Sequence, residues 1–362
     1  MEGDQDEAVV GGGHVGNLPR RPLLLPRRFV LGLASFALAG VCLWQLPRLV
    51  GTTWEAVLGL VDAVPGGHLL ALAALWGIGL WSYSWTLTGA LPGLSQRRAL
   101  LLNLTGSAVS NVLPAGGAFG VWLNTSMLRR WGFGFRRIAD FTITSNVFDV
   151  IGKLGVCGAA LAATALLGRL PAHVLAPTAG VVALVAVAAT LAAVAFSRSG
   201  SAVLARRVAA VGRRRVGLRR IVRCRREALA LRGQVRRTIR GRWRPLTAGV
   251  VSYVLLQGVL FGACLHLTAA VPTLSVLVVA FVVDRLVSSV PLTPAGAGFA
   301  EAGAAGVLLA GGAAPGAAVA GVLLYRAFVV LLEVPVGGAA LAGWWALRRR
   351  RRGRLGAEAG AA

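Results

Sequence analysis

Long apolar runs separated by short arginine-rich bands dominate this chain. The runs predict six membrane-spanning helices, at about 29–46, 68–90, 138–168, 172–196, 246–268 and 315–346. A helix needs roughly 20 apolar residues to cross a bilayer core of about 30 Å, which these runs supply or approach. The amphipathic stretch 52–64 is expected to lie on the outer membrane surface. The pattern therefore predicts an all-α polytopic membrane protein.

Two further apolar segments, 99–128 and 274–311, are each interrupted by proline and glycine. The interruptions read PAGG from residue 114 and PAGAG from residue 294. An arm of about 14 residues rises only about 21 Å, which is too short to cross the core. We therefore expect two re-entrant helical hairpins, whose broken backbone must be sheltered by protein or must line a water-filled cavity.

The two interruptions align at an offset of 180 residues, the difference between positions 294 and 114. The same offset superposes the helices that flank the breaks, and it places Asn146 on Arg326. The unit of helix, hairpin and helix is thus used twice. Charge placement starts the first copy outside and the second inside, which predicts an inverted repeat of the kind that transporters use. Two unrelated kinks are the alternative.

Charge sets the orientation and narrows the class of partner. The chain has 38 Lys and Arg against 13 Asp and Glu, yet only 14% of its residues are charged. The basic residues lie in bands between apolar runs, as orientation by cytoplasmic positive charge produces, so no nucleic acid partner is expected. Residues 197–244 hold 17 arginines and the single acid Glu227. This loop is predicted to be cytoplasmic and helical and to contact inner-leaflet lipid; a solvated linker is the alternative.

We expect a bacterial inner-membrane protein with both termini in the cytoplasm, and these features divide its chain into five parts. They are a disordered N-terminus (1–28), a first membrane half (29–196), the basic loop (197–244), a second membrane half (245–347) and a basic tail (348–362).

Several charges fall inside apolar runs, where each costs about 2.5–3.5 kcal/mol on insertion scales. Glu301 follows the second break, and Arg326 lies far from either end of the last helix. Neither easily reaches water, so we expect both to be functional. Asp149 and Lys153 are spaced i,i+4 and are expected to neutralise each other.

The remaining charges leave more than one interpretation. The adjacent pair Asp284 and Arg285 is either interfacial or buried, and Asp140 fits a helix-start residue. The serines before the two breaks are interpreted as polar lining. Nucleotide, zinc-protease and serine-hydrolase motifs do not occur in the sequence, so we expect no enzyme activity, cofactor or metal.

The segment PLTPAGAGFAE, followed some 25 residues later by Tyr325 and Arg326, resembles the transmembrane domain of lysylphosphatidylglycerol synthases and their stand-alone flippase-like relatives. The matching positions are Pro291, Pro294, Gly296, Gly298, Glu301 and Arg326, with Asn111, Pro114, Gly116 and Gly117 in the earlier half. The resemblance covers about 20–346. It departs from the family pattern at Ala295, where glycine is usual, and at Asn146, where arginine is usual.

The resemblance implies translocation of an anionic or lipid-linked phospholipid between leaflets, without aminoacylation, because no soluble transferase domain follows. We expect the site between the two hairpin tips, with Arg326 binding phosphate bidentately and Glu301 holding Arg326 when no lipid is present. The expected site residues are Glu301, Arg326, Pro294, Gly296, Gly298, Asn111, Pro114, Gly116, Gly117 and Asp149. An accessory subunit or scaffold of a glycosyltransferase system is the alternative. The lipid, the energy source and the formation of a homo-oligomer are left open.

Overall fold

The computed structural model describes residues 25–113, 116–167, 183, 218–289 and 293–360, and its secondary structure there is helical. In chain order the helices are α1 (Leu25–Leu49), α2 (Trp54–Asp62), α3 (Gly66–Ala90), α4 (Gln96–Val112), α5 (Gly116–Arg130), α6 (Phe135–Leu166), α7 (Leu218–Leu267), α8 (Leu274–Ser288), α9 (Phe299–Ala310), α10 (Pro315–Arg326) and α11 (Glu333–Gly360). A 3₁₀ turn (Pro294–Gly296) precedes α9, and a π-helical turn (Ala327–Leu331) joins α10 to α11.

Four stretches of the described chain are long and apolar enough to cross a membrane. They are Gly66–Ala90, Phe135–Leu166, Gly233–Leu267 and Pro315–Arg349. Each coincides with a predicted span, and the predicted first span falls within α1. The predicted span 172–196 lies outside the described residues. The prediction of an all-α, multi-pass architecture is confirmed.

Two predicted spans belong to longer helices than expected. Helix α7 begins at Leu218, inside the predicted basic loop, and continues into the span after a kink at Arg242 (φ −132°, ψ 24°). The kink lies just before Pro245, which has no N–H for the helical ladder. The part of the loop from residue 218 is therefore helical as predicted, whereas 197–217 lies outside the described residues. Likewise, α11 continues through the predicted tail to Gly360.

The centre of the bundle is formed by α3 packed antiparallel against α7. The Thr86 hydroxyl donates to the Leu246 carbonyl at 3.1 Å, and the rings of Tyr83 and Tyr253 lie 5.0 Å apart. A methyl group on Gly249 would collide with Thr86, so the glycine permits this close approach. Small residues at such contacts let the backbones of membrane helices approach closely.

At both predicted interruptions one helix ends and a second, packed helix begins, although Pro114 and Ala115 of the first interruption lie outside the described residues. Helices α4 and α5 are antiparallel, and a methyl group on Gly120 would collide with the Ser110 hydroxyl and the Gly106 carbonyl. Helices α8 and α9 are packed in the same way, with Gly303 against Val283. The chain order of one long helix, a broken helix pair and another long helix thus occurs in both halves.

Candidate functional site

The second break is a tight turn pressed against α1. Ala295 (φ 54°), Gly296 (φ 68°) and Gly298 (φ 87°) all adopt left-handed backbone. This conformation costs a residue with a side chain about 1–2 kcal/mol, so Ala295 is strained. A methyl group on Gly298 would also collide with Cys42 of α1. The turn therefore needs an external support.

Arg326 supplies that support from α10. Its Nε donates to Glu301 Oε1 at 2.5 Å, its Nη2 to the Ala295 carbonyl at 2.9 Å and its Nη1 to Ser288 Oγ at 3.2 Å. The other oxygen of Glu301 accepts from the Gly298 N–H at 2.6 Å. Both charged side chains are buried. We call these five residues the arginine latch, because one guanidinium joins α8, the turn and α9 to α10.

A second ion pair adjoins the latch. Arg285 donates from Nε and Nη2 to Asp284 Oδ2, at 3.1 and 3.0 Å, and from Nη1 to Gln257 Oε1 at 2.8 Å. The Tyr325 hydroxyl donates to the same Gln257 oxygen at 2.9 Å. Asp284 Oδ1 lies 3.9 Å from Arg326 Nη1. Asp284 is fully buried, so the structure selects the buried interpretation of this pair.

A polar cavity of about 320 Å³ lies beside the first break, among α3, α4, α5, α6 and α7. Neutral hydrogen-bonding side chains dominate its wall. They are Asn103, Asn111, Asn124, Asn146, Ser107, Ser110, Ser145, Thr142, Tyr83 and Tyr253. Asp149 and Lys153 also line it, and their 2.8 Å salt bridge confirms the predicted i,i+4 pair. We refer to this space as the polar cavity.

The polar cavity and the arginine latch are linked through two helices. Asn111 of α4 donates to Glu333 Oε2 of α11 at 3.2 Å, and Glu333 is buried. The π-helical turn lies between Arg326 and Glu333, and such turns often occur at functional sites. On α7, Tyr253 lines the cavity one turn before Gln257, which belongs to the second ion pair. Helix α4 also contacts the turn of the second break.

The sequence-predicted site residues fall into two adjoining groups. Glu301, Gly298 and Arg326 belong to the latch, with Gly296 in its turn, while Asn111, Gly117 and Asp149 line the polar cavity. Gly116 packs on Ser110. The Pro294 backbone opens the 3₁₀ turn, and both Pro114 and Pro291 lie outside the described residues.

Sequence reasoning missed much of the cavity wall. Asn103 and Asn124 were not singled out, although asparagine is expensive within an apolar segment and its presence there was a usable signal. Gln257 in an apolar run carries the same signal, although it contacts Arg285 rather than the cavity. Tyr83 and Tyr253 carry no such signal, because only the packing of α3 against α7 reveals what they line.

A bundle with several apolar spans and buried ion pairs defines a multi-pass membrane protein. Residues 31–337 match the family described as Lysylphosphatidylglycerol synthase TM region, so the chain belongs to that family. The match confirms the resemblance seen in the sequence motifs. It concerns the membrane region of these synthases and includes no catalytic domain. No curated protein matched the chain.

Proposed function

We propose that this protein is a lipid translocase, which moves a phospholipid or a lipid-linked head group between the two leaflets of a bacterial inner membrane. The observation that carries the proposal is the polar cavity between helices that are otherwise apolar. A head group needs a polar path through the hydrocarbon region, while its acyl chains can remain in the bilayer. Polar surface at this depth is costly, and in membrane proteins it usually marks such a path.

The arginine latch adds a group on this path whose ion pair can be exchanged. In the observed state the Arg326 guanidinium donates hydrogen bonds to Glu301 and Ser288. A lipid phosphate offers the same kind of charged oxygen acceptors and can replace Glu301 in a bidentate pair. The exchange would free Glu301 from Arg326 and loosen the turn of the second break. The cargo is thus an anionic or lipid-linked phospholipid. The site comprises the ten residues predicted from the sequence, which belong to the two breaks and the helices beside them.

The positions of the arginines support an orientation. Asp140 of α6 accepts from Thr238 of α7 at 3.0 Å and from Gln234 at 3.3 Å, so the basic part of α7 lies beside the basic start of α6. Arg98, near the start of α4, stacks on Trp131 just after α5. By the positive-inside rule this end of the bundle is cytoplasmic, as are both termini. The arginine-rich part of α7 then lies against the anionic inner leaflet.

The same orientation supports an inverted repeat. Helix α3 and the membrane part of α7 are the equivalent first helices of the two halves, and they run antiparallel. The broken pair α4–α5 would then enter from the cytoplasm and the pair α8–α9 from the exterior. Two re-entrant pairs that approach from opposite faces offer the alternating exposure that translocation requires.

The test is a translocation assay in proteoliposomes. Fluorescent phosphatidylglycerol in the outer leaflet is followed by loss of accessibility to an impermeant quencher, with protein-free liposomes as the baseline. We expect the parent to move the lipid faster than this baseline. Glu301→Gln and Asn111→Leu should each slow transport, whereas the exposed Arg129→Gln should not. If the unmodified protein moves lipid no faster than protein-free liposomes do, the hypothesis of an accessory subunit or scaffold is favoured.

A further inference from the structure

The chemistry of the polar cavity narrows the class of head group, provided that the proposed translocation is correct. Its described wall carries two charged side chains, Asp149 and Lys153, and they neutralise each other at 2.8 Å. An ammonium head group would need a carboxylate that is not already engaged. A phosphate placed in the cavity itself would compete with Asp149 for Lys153. The wall therefore favours neutral ligand groups.

Two asparagines add a more specific signal. The amide nitrogen of Asn103 and the amide oxygen of Asn124 are buried, and neither has a hydrogen-bond partner among the described residues. Buried polar atoms are nearly always satisfied, so this donor and this acceptor are available to a ligand. By contrast, Asn111 donates to Glu333 and Asn146 donates to the Thr142 carbonyl of its own helix.

One unpaired donor and one unpaired acceptor match a hydroxyl group. A hydroxyl both accepts and donates, whereas a phosphate oxygen only accepts and an ammonium only donates. Both amides are shielded in the resting cavity, so rotation of each side chain must turn the amide towards the ligand. Tyr83 and Tyr253 add ring faces and further hydroxyls to the same wall, which suits a ligand with alternating C–H and O–H groups.

We propose that the polar cavity binds an uncharged, polyhydroxylated head group, such as a glycosyl or polyol group attached to a lipid phosphate. Its volume of about 320 Å³ lies within the range of about 300–1,000 Å³ that small-molecule sites occupy. The phosphate lies towards the arginine latch, because Glu333, which accepts from Asn111 at the cavity wall, follows Arg326 across the π-helical turn. The hydroxyl groups then select the cargo, and the arginine recognises the phosphate that all such lipids share.

The test separates binding from transport. The detergent-solubilised protein is titrated with short-chain phosphatidylinositol, phosphatidylglycerol, phosphatidic acid, phosphatidylethanolamine and lysyl-phosphatidylglycerol, and native mass spectrometry measures the bound fraction. We expect the two polyol lipids to bind at least about tenfold more tightly than the other three, since hydrogen bonds from their free hydroxyl groups add to the phosphate contact that all five share. Asn103→Leu combined with Asn124→Leu should remove most of that preference.

The control is Ser126→Val on α5, whose hydroxyl donates to its own helix and which does not line the cavity. It should leave the preference unchanged. If the double variant melts below the parent, the single Asn103→Ser and Asn124→Ser variants replace it. Equal binding of all five lipids, a preference for lysyl-phosphatidylglycerol, or an unchanged preference in the asparagine variants would each overturn the proposal.

The same lipids are then compared in proteoliposomes. Selective binding of polyol lipids without transport would support the head-group assignment and reject the translocase. Transport of all five lipids at one rate would support the translocase and reject the head-group assignment.

Discussion

The two breaks of this protein share a proline- and glycine-rich sequence, but they are held in different ways. At the second break, Arg326 forms a buried ion pair with Glu301 and also donates to Ser288 and to the Ala295 carbonyl. Position 146 is the one that the 180-residue offset of the two sequence breaks aligns with Arg326, and there Asn146 donates at 2.7 Å to the carbonyl of Thr142 in its own helix. The polar cavity lies at this first break. Arg326 thus holds the second break by an ion pair, whereas Asn146 lines a cavity beside α4 and α5.

This difference sets the energetic character of each half. Breaking a buried ion pair by removing one partner costs about 3–5 kcal/mol, because the remaining charge is stranded. Losing a neutral hydrogen bond in the cavity costs nearer 1 kcal/mol. The second break should therefore dominate stability, and the first break should tolerate change and govern ligand binding.

The largest expected effect follows removal of the latch cation. Arg326→Gln leaves Glu301 buried without its partner and should lower stability by about 3–5 kcal/mol. Thermal unfolding of the purified protein in detergent measures this, with Arg129→Gln as the surface control. Combining Arg326→Gln with Glu301→Gln should recover part of the loss. A single variant that melts with the parent would show that the latch does not hold the second break.

Paired glycine substitutions compare the two breaks directly. Gly298→Ala forces a side chain into left-handed backbone and against Cys42, and should cost about 2–4 kcal/mol in total. Gly117 has no atom within 4 Å of an added methyl group and lies in α5, so Gly117→Ala should be neutral or slightly stabilising. The measurement is the melting temperature of each variant relative to the unmodified protein. Equal losses would mean that the two breaks are equally constrained.

A latch can also be built at the first break. Positions 146 and 121 correspond to Arg326 and Glu301 by the 180-residue offset, and both line the polar cavity. Asn146→Arg alone should destabilise the protein, and adding Val121→Glu should restore about 1–3 kcal/mol through the new pair. The double variant should transport lipid more slowly than the parent because the pair fills the cavity. If the effects of Asn146→Arg and Val121→Glu on stability simply add, the proposed equivalence of the two halves is wrong.

A smaller gain is expected at the strained alanine. Ala295→Gly removes the left-handed strain and should stabilise the protein by about 1 kcal/mol, partly offset by the greater freedom of glycine in the unfolded chain. Thermal unfolding again supplies the measurement, and Ala297→Gly serves as the neighbouring control. A lower melting temperature for Ala295→Gly than for the control would contradict this account.

The orientation of the two breaks can be tested by thiol labelling, whose outcome depends on which side of the membrane a cysteine lies. With Cys42, Cys157 and Cys264 replaced by serine, Cys224 in the basic part of α7 remains the single thiol. In intact cells it should resist a membrane-impermeant thiol reagent and react after permeabilisation. Labelling from outside would mean that α4–α5 enters the membrane from the exterior and α8–α9 from the cytoplasm, the reverse of our proposal.

Features that depend on local geometry could be predicted from the order of amino acids. Apolar runs of sufficient length specify membrane helices, and proline with glycine specifies where a helix stops, so the described spans and both breaks were predictable. The ion pair of Asp149 and Lys153 was predictable because helical periodicity alone brings i and i+4 together. The burial of Glu301 and Arg326 was foreseeable from the cost of charge in an apolar run.

Contacts between residues that are distant in the chain could not be predicted and are seen only in the folded protein. Asn111 and Glu333 are 222 residues apart, and Arg326 finds Ser288 and Ala295 at separations of 38 and 31 residues. These meetings depend on how closely helices pack at contacts such as Gly249 against Thr86, which periodicity does not encode. For the same reason the burial of Asp284 and the amide wall of the polar cavity emerged only once the helices were assembled. Local rules place a side chain on one face of a helix, but the partner helix decides what that face touches.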